Sequence, residues 1–515
     1  MNKKTAAVAV PVIPMTVMLV IGCWGLDRGG MWRDEAATFQ VARRTVPEIW
    51  RLLHQVDAVH GLYYLLMRPV LALHPGEVLL RLPSVLAATT TAGLVAALGA
   101  RLARPRVGLW AGLLYAINPM AGHYAQEGRS YAMVAAGVAG ATLLLVRAVG
   151  GRTWVPYGVV LAVTCVLHEF AVLLLPAHAV TLALTRVPRR VWAGWLCAAG
   201  AVVLALLPLA LLSHAQSAQV AWLRPPGPDS VAYLLRQFAG PTDEVLPPCL
   251  ILMCLASRRP WTRRPGGALT LPAVALPLLV LPPAILLTAS QWTPLYDARY
   301  VLYALAGASL LVAAGADRVA RAVPRLPRVP VTAAGVLAVA LVCAHQLPLL
   351  RQDRSMAQRG GDNLAVASAL AARELRPGDP VLFLPAIGRR SALAYPKGFH
   401  GTRDVALAES ARTSGTLYGV ETDPAALRRR LAELDRVWLV AEPYALSPTW
   451  HPDTPADRTK LAVVEGEFKP GRELRGRGVT LRLYERAPQG RGEPRDQPQR
   501  RSGKPPTSGL GVQRS

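Results

Sequence analysis

Acidic side chains are scarce in this 515-residue sequence: 32 Asp and Glu stand against 57 Lys and Arg, a net charge of +25. Cysteines number six (Cys23, Cys165, Cys197, Cys249, Cys254 and Cys343), all in or beside apolar segments. None has His partners at metal-ligand spacing, which excludes a cysteine-based zinc framework and leaves them as small buried hydrophobes. No small-x-small cleavage site precedes Trp24, so the apolar run behind "MNKK" reads as an uncleaved first helix rather than a signal peptide. Internal repeats are missing, which counts against an inverted-repeat transporter. The last third of the chain has no glycine-rich phosphate fingerprint and no catalytic motif.

What the sequence has in abundance is apolar surface. Hydrophobic residues make up 52% of it, and the mean hydropathy is +0.29. Runs such as "ALTLPAVALPLLVLPPAILLTAS" (268–290) are long enough to cross a bilayer core, which takes about 20 residues. The expected fold class is therefore an α-helical polytopic membrane protein. Eleven spans are expected, at about 5–25, 83–100, 107–121, 130–147, 154–168, 171–185, 191–213, 245–257, 268–289, 300–315 and 330–350. The basic excess first suggests nucleic acid. Its clusters, however, fall between apolar runs, at 101–106, 147–152, 186–190, 257–265 and 317–328, as cytoplasmic loops do. No nucleic-acid partner is expected.

The same clusters set an orientation. The N-terminus is cytoplasmic, segment 27–82 is outside, and eleven crossings leave the C-terminus outside. Segment 61–74, "GLYYLLMRPVLALH", would upset that parity if it crossed; it contains Arg68 and reads as an interfacial helix on the outer surface. The transmembrane domain occupies 1–352. Residues 355–487 read as a small extracytoplasmic α/β domain: helices at 362–379 and 423–435, and strands at 380–386, 436–442, 460–468 and 479–485. The Pro-, Gly-, Gln- and Arg-rich tail at 488–515 reads as disordered.

With this orientation, Asp34, Glu35, His60, Glu127, Arg129, His168, Glu169, Asp297 and Arg299 share one face of the membrane, although they come from five distant stretches. Each has a plainer explanation. The arginines could simply pair with Glu127 and Asp297, His60 could cap a helix, and His168 could be a core histidine. The gathering is the stronger signal. A carboxylate serves as general base on an acceptor hydroxyl. Arginines clamp a phosphate leaving group. Aromatic faces hold a sugar or an isoprenoid. Together they imply a lipid-linked phosphosugar donor.

The ordered runs "WRDEAAT", "HGLYYLL", "LRLPSVLAA", "NPMAGHYAQEGRSYAM" and "DARYVLYALAG", within about 20–350, resemble the GT-C class of bacterial membrane glycosyltransferases. They look closest to family-39-like relatives of the dolichyl-phosphate-mannose protein mannosyltransferases, of actinobacterial type. The resemblance implies acceptor activation by Asp34 with Glu35 in support, donor-phosphate binding by Arg129 and Arg299, and substrate binding by His60, Glu127, Tyr131, His168 and Tyr300. Three departures stand out. The prolines that usually follow the His60 position are absent, Gly128 replaces an alanine, and Glu169 replaces an aromatic. The expected activity is inverting transfer of a sugar, mannose-like or other, from a polyprenyl-phosphate donor to a hydroxyl of a protein, lipid or polysaccharide acceptor. Membrane lipids are further partners. No cofactor is named, and a divalent metal stays open. The rival readings are a lipid or sugar transporter or flippase, and a non-catalytic scaffold of the same fold.

Overall fold

The structure, a computed structural model, describes residues 3–258, 269–322, 328–355 and 363–487. The tail at 488–515, most of the basic stretch 257–265 and part of the basic loop 317–328 lie outside the described residues.

Every expected span is helical. After α1 (Lys3–Cys23), three short helices follow: α2 (Arg33–Ala42), α3 (Val46–Leu53) and α4 (Gly61–Leu73). Then come α5 (Glu77–Leu102), α6 (Pro105–Ile117), α7 (Pro119–Ala125), α8 (Tyr131–Val149), α9 (Val155–Leu167), α10 (Leu174–Thr185) and α11 (Arg189–Ala215). The helical domain continues through α12 (Pro228–Ala239), α13 (Leu246–Ser257), α14 (Leu271–Ala289), α15 (Leu305–Ala322) and α16 (Arg328–Asp353). Six described helical segments are long and apolar enough to cross a membrane: 77–102, 131–149, 189–215, 271–289, 298–322 and 330–353. Of the other expected spans, the first is the 21-residue α1 and the rest are shorter helices. One of them, 107–121, is two helices, because the Asn118 side chain accepts from the backbone N–H groups of Met120 and Ala121 (2.9 and 3.3 Å) and starts α7 afresh.

Three short helices fill the segment between α1 and α5. In α3, Thr45 and Glu48 form a reciprocal capping box. In α4, Tyr63, Tyr64, Met67 and Leu71 are buried, while Leu65, Leu66 and Leu73 are exposed. Helix α12 falls in a stretch, 214–244, that the sequence reading leaves as a loop; it buries Leu234 and Phe238 and exposes Val231 and Tyr233.

The last third is a small α/β domain. Its strands are β1 (Pro380–Leu384), β2 (Arg403–Asp404), β3 (Leu407–Glu409), β4 (Val420–Glu421), β5 (Arg436–Ala441), β6 (Phe468–Gly476) and β7 (Val479–Arg486). The main sheet has the order β2-β1-β5-β7-β6, with β2, β1 and β5 parallel and the β6–β7 hairpin antiparallel. Alternation along β1 and β5 sends Leu382, Leu384, Val437 and Leu439 to one buried face and Val381, Phe383, Trp438 and Val440 to the other. Its helices are α17 (Leu364–Glu374), α18 (Arg390–Ala394), α19 (Pro424–Ala432) and α20 (Pro455–Glu467). The last corrects the strand expected at 460–468. Thr454 caps it by accepting from Asp457 N (3.0 Å), Pro455 opens it, and Lys460, Val463 and Val464 are buried at helical spacing. The strand of this region is β6, directly after it.

This domain is fastened over the short helices. Tyr395 Oη accepts from Met31 N (2.7 Å) and donates to Glu77 Oε1 (2.5 Å). Arg44 and Arg51 donate to the carbonyls of Thr416 (2.9 Å) and Thr413 (3.2 Å).

Candidate active site

Asp34 and Glu35 occupy the first turn of α2, where the helix dipole favours carboxylates. Glu35 turns inward and is 1% exposed. Its two oxygens accept from Arg81 Nε and Nη2, at 2.8 Å each, and Oε1 also accepts from Gly128 N at 3.0 Å. Arg81, on α5, is fully buried and spends its remaining N–H groups on the carbonyls of Leu26, Arg28, Gly29 and Gly30. One buried ion pair therefore joins α2, α5, the loop before α2 and the turn after α7. Gly128 belongs in that turn for a steric reason: a Cβ there would lie 2.6 Å from Leu80 Cγ.

Asp34 faces the other way and is more open, with its side chain 23% exposed. Its Oδ2 accepts from Arg299 Nη1 at 3.1 Å. Arg299 also lies 3.3 Å from Asp297 Oδ2, and its guanidinium rests near the rings of Trp32, Tyr131 and Tyr300, 5.5–5.8 Å from their centroids. Arg129 sits behind Asp34. It is 5% exposed, and its Nη1 donates to the Asp34 carbonyl and to Thr38 Oγ1, both at 3.4 Å, while Nη2 contacts His60 Nε2. His60 precedes α4 without capping it.

An aromatic wall completes this side. His168 stacks near Tyr300 (4.8 Å), Tyr131 (5.6 Å) and His60 (6.2 Å). Burial, reinforced by Arg129 and Arg299, pushes the His168 imidazole down to about 3, so it is neutral at physiological pH. Glu169 turns to α11 instead, where Ser213 donates to it at 2.5 Å.

Beside Arg299 lies a cavity of about 290 Å³, walled by Trp32, Glu35, Tyr124, Gln126, Glu127, Asp297 and Arg299 together with His123, Asp353 and Arg354. Asp353 and Arg354 come from the end of α16; Asp353 accepts from His123 Nδ1 at 2.6 Å, and Arg354 donates to the Gly122 carbonyl at 3.0 Å. Asp34 meets this cavity through Arg299. Glu127 is 4% exposed, and neither of its carboxylate oxygens has a hydrogen-bond partner among the described residues. Burial pushes Glu127 up to about 7, against the opposing pull of His123 and Arg299. No group of three or more His, Cys, Asp or Glu is placed to hold a metal ion among the described residues.

Eight of the nine residues singled out in the sequence thus meet at one end of the helical domain, while Glu169 turns to Ser213. Arg129 and Glu127 are not partners, unlike Arg299 and Asp297. Sequence reasoning missed Arg81, Trp32, His123, Asp353 and Arg354. Arg81 had a usable signal, an arginine inside the apolar run "LLRLPSVL". Arg354 had none, since a basic residue after a long apolar helix looks like any juxtamembrane anchor.

No protein-family model and no curated protein matches the sequence. Solved structures do match. ArnT from Cupriavidus metallidurans bound to undecaprenyl phosphate superposes with a TM-score of 0.57 at 16% identity, over 92% of this chain and 97% of that one. The apo state of the same protein gives a TM-score of 0.59 at 13% identity, over 93% and 98%.

The fold is GT-C-like. Because the match runs nearly end to end on both chains, it includes the C-terminal α/β domain, which the sequence resemblance left out. In this GT-C-like frame the acidic pair, the arginines and the cavity share one end of the molecule.

Proposed function

We propose that the chain is a membrane glycosyltransferase that moves a sugar from a polyprenyl-phosphate donor to an acceptor hydroxyl outside the membrane, with inversion. The observation that carries this reading is Asp34: an accessible carboxylate, held by one oxygen on Arg299, beside a polar cavity at the end of a GT-C-like bundle. The likeness to a protein solved with undecaprenyl phosphate supports a lipid-phosphate donor. Family-39-like, mannose-like transfer in an actinobacterial type of cell envelope is the finer form of the proposal, with protein, lipid or wall polysaccharide as acceptor.

The roles divide by position. Asp34 takes the proton as the acceptor oxygen bonds to the anomeric carbon. The bond from that carbon to the phosphate oxygen breaks, and its electron pair leaves on the phosphate, which Arg299 stabilises. Polyprenyl phosphate leaves already charged, so no second acid is needed. A single in-line displacement inverts the anomeric centre. Glu35 and Arg129 are positioning residues: Glu35 fixes α2 through Arg81, and Arg129 holds the Asp34 carbonyl and His60. Tyr131, His168 and Tyr300 present a neutral stacked surface to the substrate.

The N-terminus lies in the cytoplasm, and the site and C-terminal domain lie outside; the alternating basic loops support this side. A transporter reading finds less support. The buried imidazole of His178, within α10, is already bonded to Tyr157 and Thr142.

The test is Asp34→Asn in purified protein with a polyprenyl-phosphate-linked sugar. Donor binding should persist while transfer falls by about 10²–10⁴-fold, the usual contribution of a general base. Near-wild-type transfer by the variant, or a product with retained configuration, overturns the assignment.

A further inference from the structure

Glu127 is a carboxylate of the cavity wall that the catalytic roles leave unused. Its backbone is pinned from behind: Ser84 Oγ and Arg129 N donate to its carbonyl at 2.6 and 2.8 Å, and the next amide is held by Glu35. The side chain is then presented to the cavity by a turn that has little freedom to withdraw it. The other carboxylates of the wall are engaged, Glu35 by Arg81, Asp297 by Arg299 and Asp353 by His123. Only for Glu127 are both oxygens buried and without a partner among the described residues. A buried carboxylate in that state lacks the hydrogen bonds that normally offset its desolvation. Two unpartnered oxygens on a residue that lines the cavity suit a ligand bringing two donors. Trp32 and Tyr124 line the same space and offer apolar faces for a ring's C–H groups. At about 290 Å³ the cavity is at the small end for ligand pockets, roughly 300–1,000 Å³, and admits a sugar head rather than a polyprenyl chain.

We propose that Glu127 is the sugar-recognition residue of the donor site, accepting hydrogen bonds from two O–H or N–H groups of the transferred sugar while Arg299 holds the phosphate. This rests on the glycosyltransferase reading and adds to it which part of the donor each side chain reads.

The experiment compares three probes on the full-length protein in nanodiscs: polyprenyl phosphate alone, polyprenyl-phosphate mannose, and a polyprenyl-phosphate amino sugar. Glu127→Gln should weaken at least one sugar-bearing lipid by tenfold or more and leave the bare lipid phosphate within about twofold, since a hydrogen bond to a charged group is worth more than one to a neutral amide. A larger loss for the amino sugar assigns an ammonium partner; a larger loss for mannose assigns hydroxyls. Glu127→Asp, which keeps the charge but shortens its reach, should show the same selectivity to a smaller degree. Equal losses for all three probes, or no loss for any, overturn the subsite and leave the donor class standing. Failure of the wild-type protein to bind any of them overturns the donor class itself, and the subsite with it.

Discussion

Glu127 also makes a prediction that needs no substrate. Its carboxyl has a value of about 7 in the folded chain against 4.5 for an ordinary glutamate. The folded state therefore binds more protons than the unfolded chain across that interval, and stability must fall as pH rises through it. The full gap is worth about 3 kcal/mol, at about 1.4 kcal/mol per pH unit. Between about pH 5 and about pH 8 the loss comes to roughly 2–3 kcal/mol. With an unfolding entropy of about 2 cal/mol/K per residue, this corresponds to a melting shift of roughly 2–3 °C for a chain of this size. Glu127→Gln removes the titration. The amide has its own burial cost, but that cost does not change with pH, so the quantity to read is the difference between the two proteins' Tm-versus-pH curves. His123 and Arg299, which draw Glu127 down, and Asp34 and Glu35, which push it up, are present in both proteins. Thermal melts of the detergent-solubilised protein at several pH values should show the wild type losing ground to the variant as pH rises. Saturating sugar-bearing lipid should flatten the difference, because its donors favour the ionised carboxylate. Parallel curves would refute the reasoning, since they would mean that Glu127 already has a partner that stabilises its charge.

Three further outcomes are expected. Glu35→Ala strands Arg81 in a fully buried site, so the variant should lose about 3–5 kcal/mol and melt about 3–5 °C below wild type, whereas Asp34→Asn should melt near it; equal melting of the two variants would contradict the division of labour. Arg299→Lys keeps the charge but not the fork that reaches Asp34 and Asp297 together, and should lower transfer tenfold or more without loss of fold; unchanged transfer and donor affinity would reduce Arg299 to a structural pair. A cysteine replacing exposed Arg428 on α19 should react with an impermeant thiol reagent in intact cells, and labelling only after lysis would reverse the proposed orientation.

Legibility in the sequence followed the physics of each signal. Span helices were readable because a bilayer demands long uncharged runs. Their breaks were not, since the start of α7 depends on one asparagine side chain reaching two amides. Strands β1, β5 and β7 were readable because both of their faces are buried. Segment 460–468 looked like a strand because its apolar run is short, and the capping threonine that makes it α20 lies six residues upstream. Strand β6, "FKPGRELRG", is mostly exposed and carries a proline, so it had no apolar pattern to show. At the site, the residue types announced themselves by their sidedness. Their pairings did not, because partners such as Glu35 and Arg81 lie 46 positions apart.

The acidic pair shows why neighbours of the same kind do different work. Successive residues of an α-helix project about 100° apart, 3.6 to the turn. In the first turn of α2, that rotation sends Glu35 into the protein and Asp34 out beside Arg299. Inside, a carboxylate can persist only with a matched cation, and Arg81 matches it with both ends of its fork. That pair makes one of its oxygens available to Gly128 N, so the same bond that neutralises Glu35 also sets the turn that aims Glu127 at the cavity. Outside, Asp34 keeps one oxygen on Arg299 and the remainder of its side chain partly open, the arrangement a proton acceptor needs. The inward residue thus fixes the helix that displays its neighbour and the turn that displays the third carboxylate. Removing it should disperse the site, whereas removing Asp34 should leave a well-built site that lacks only its proposed base.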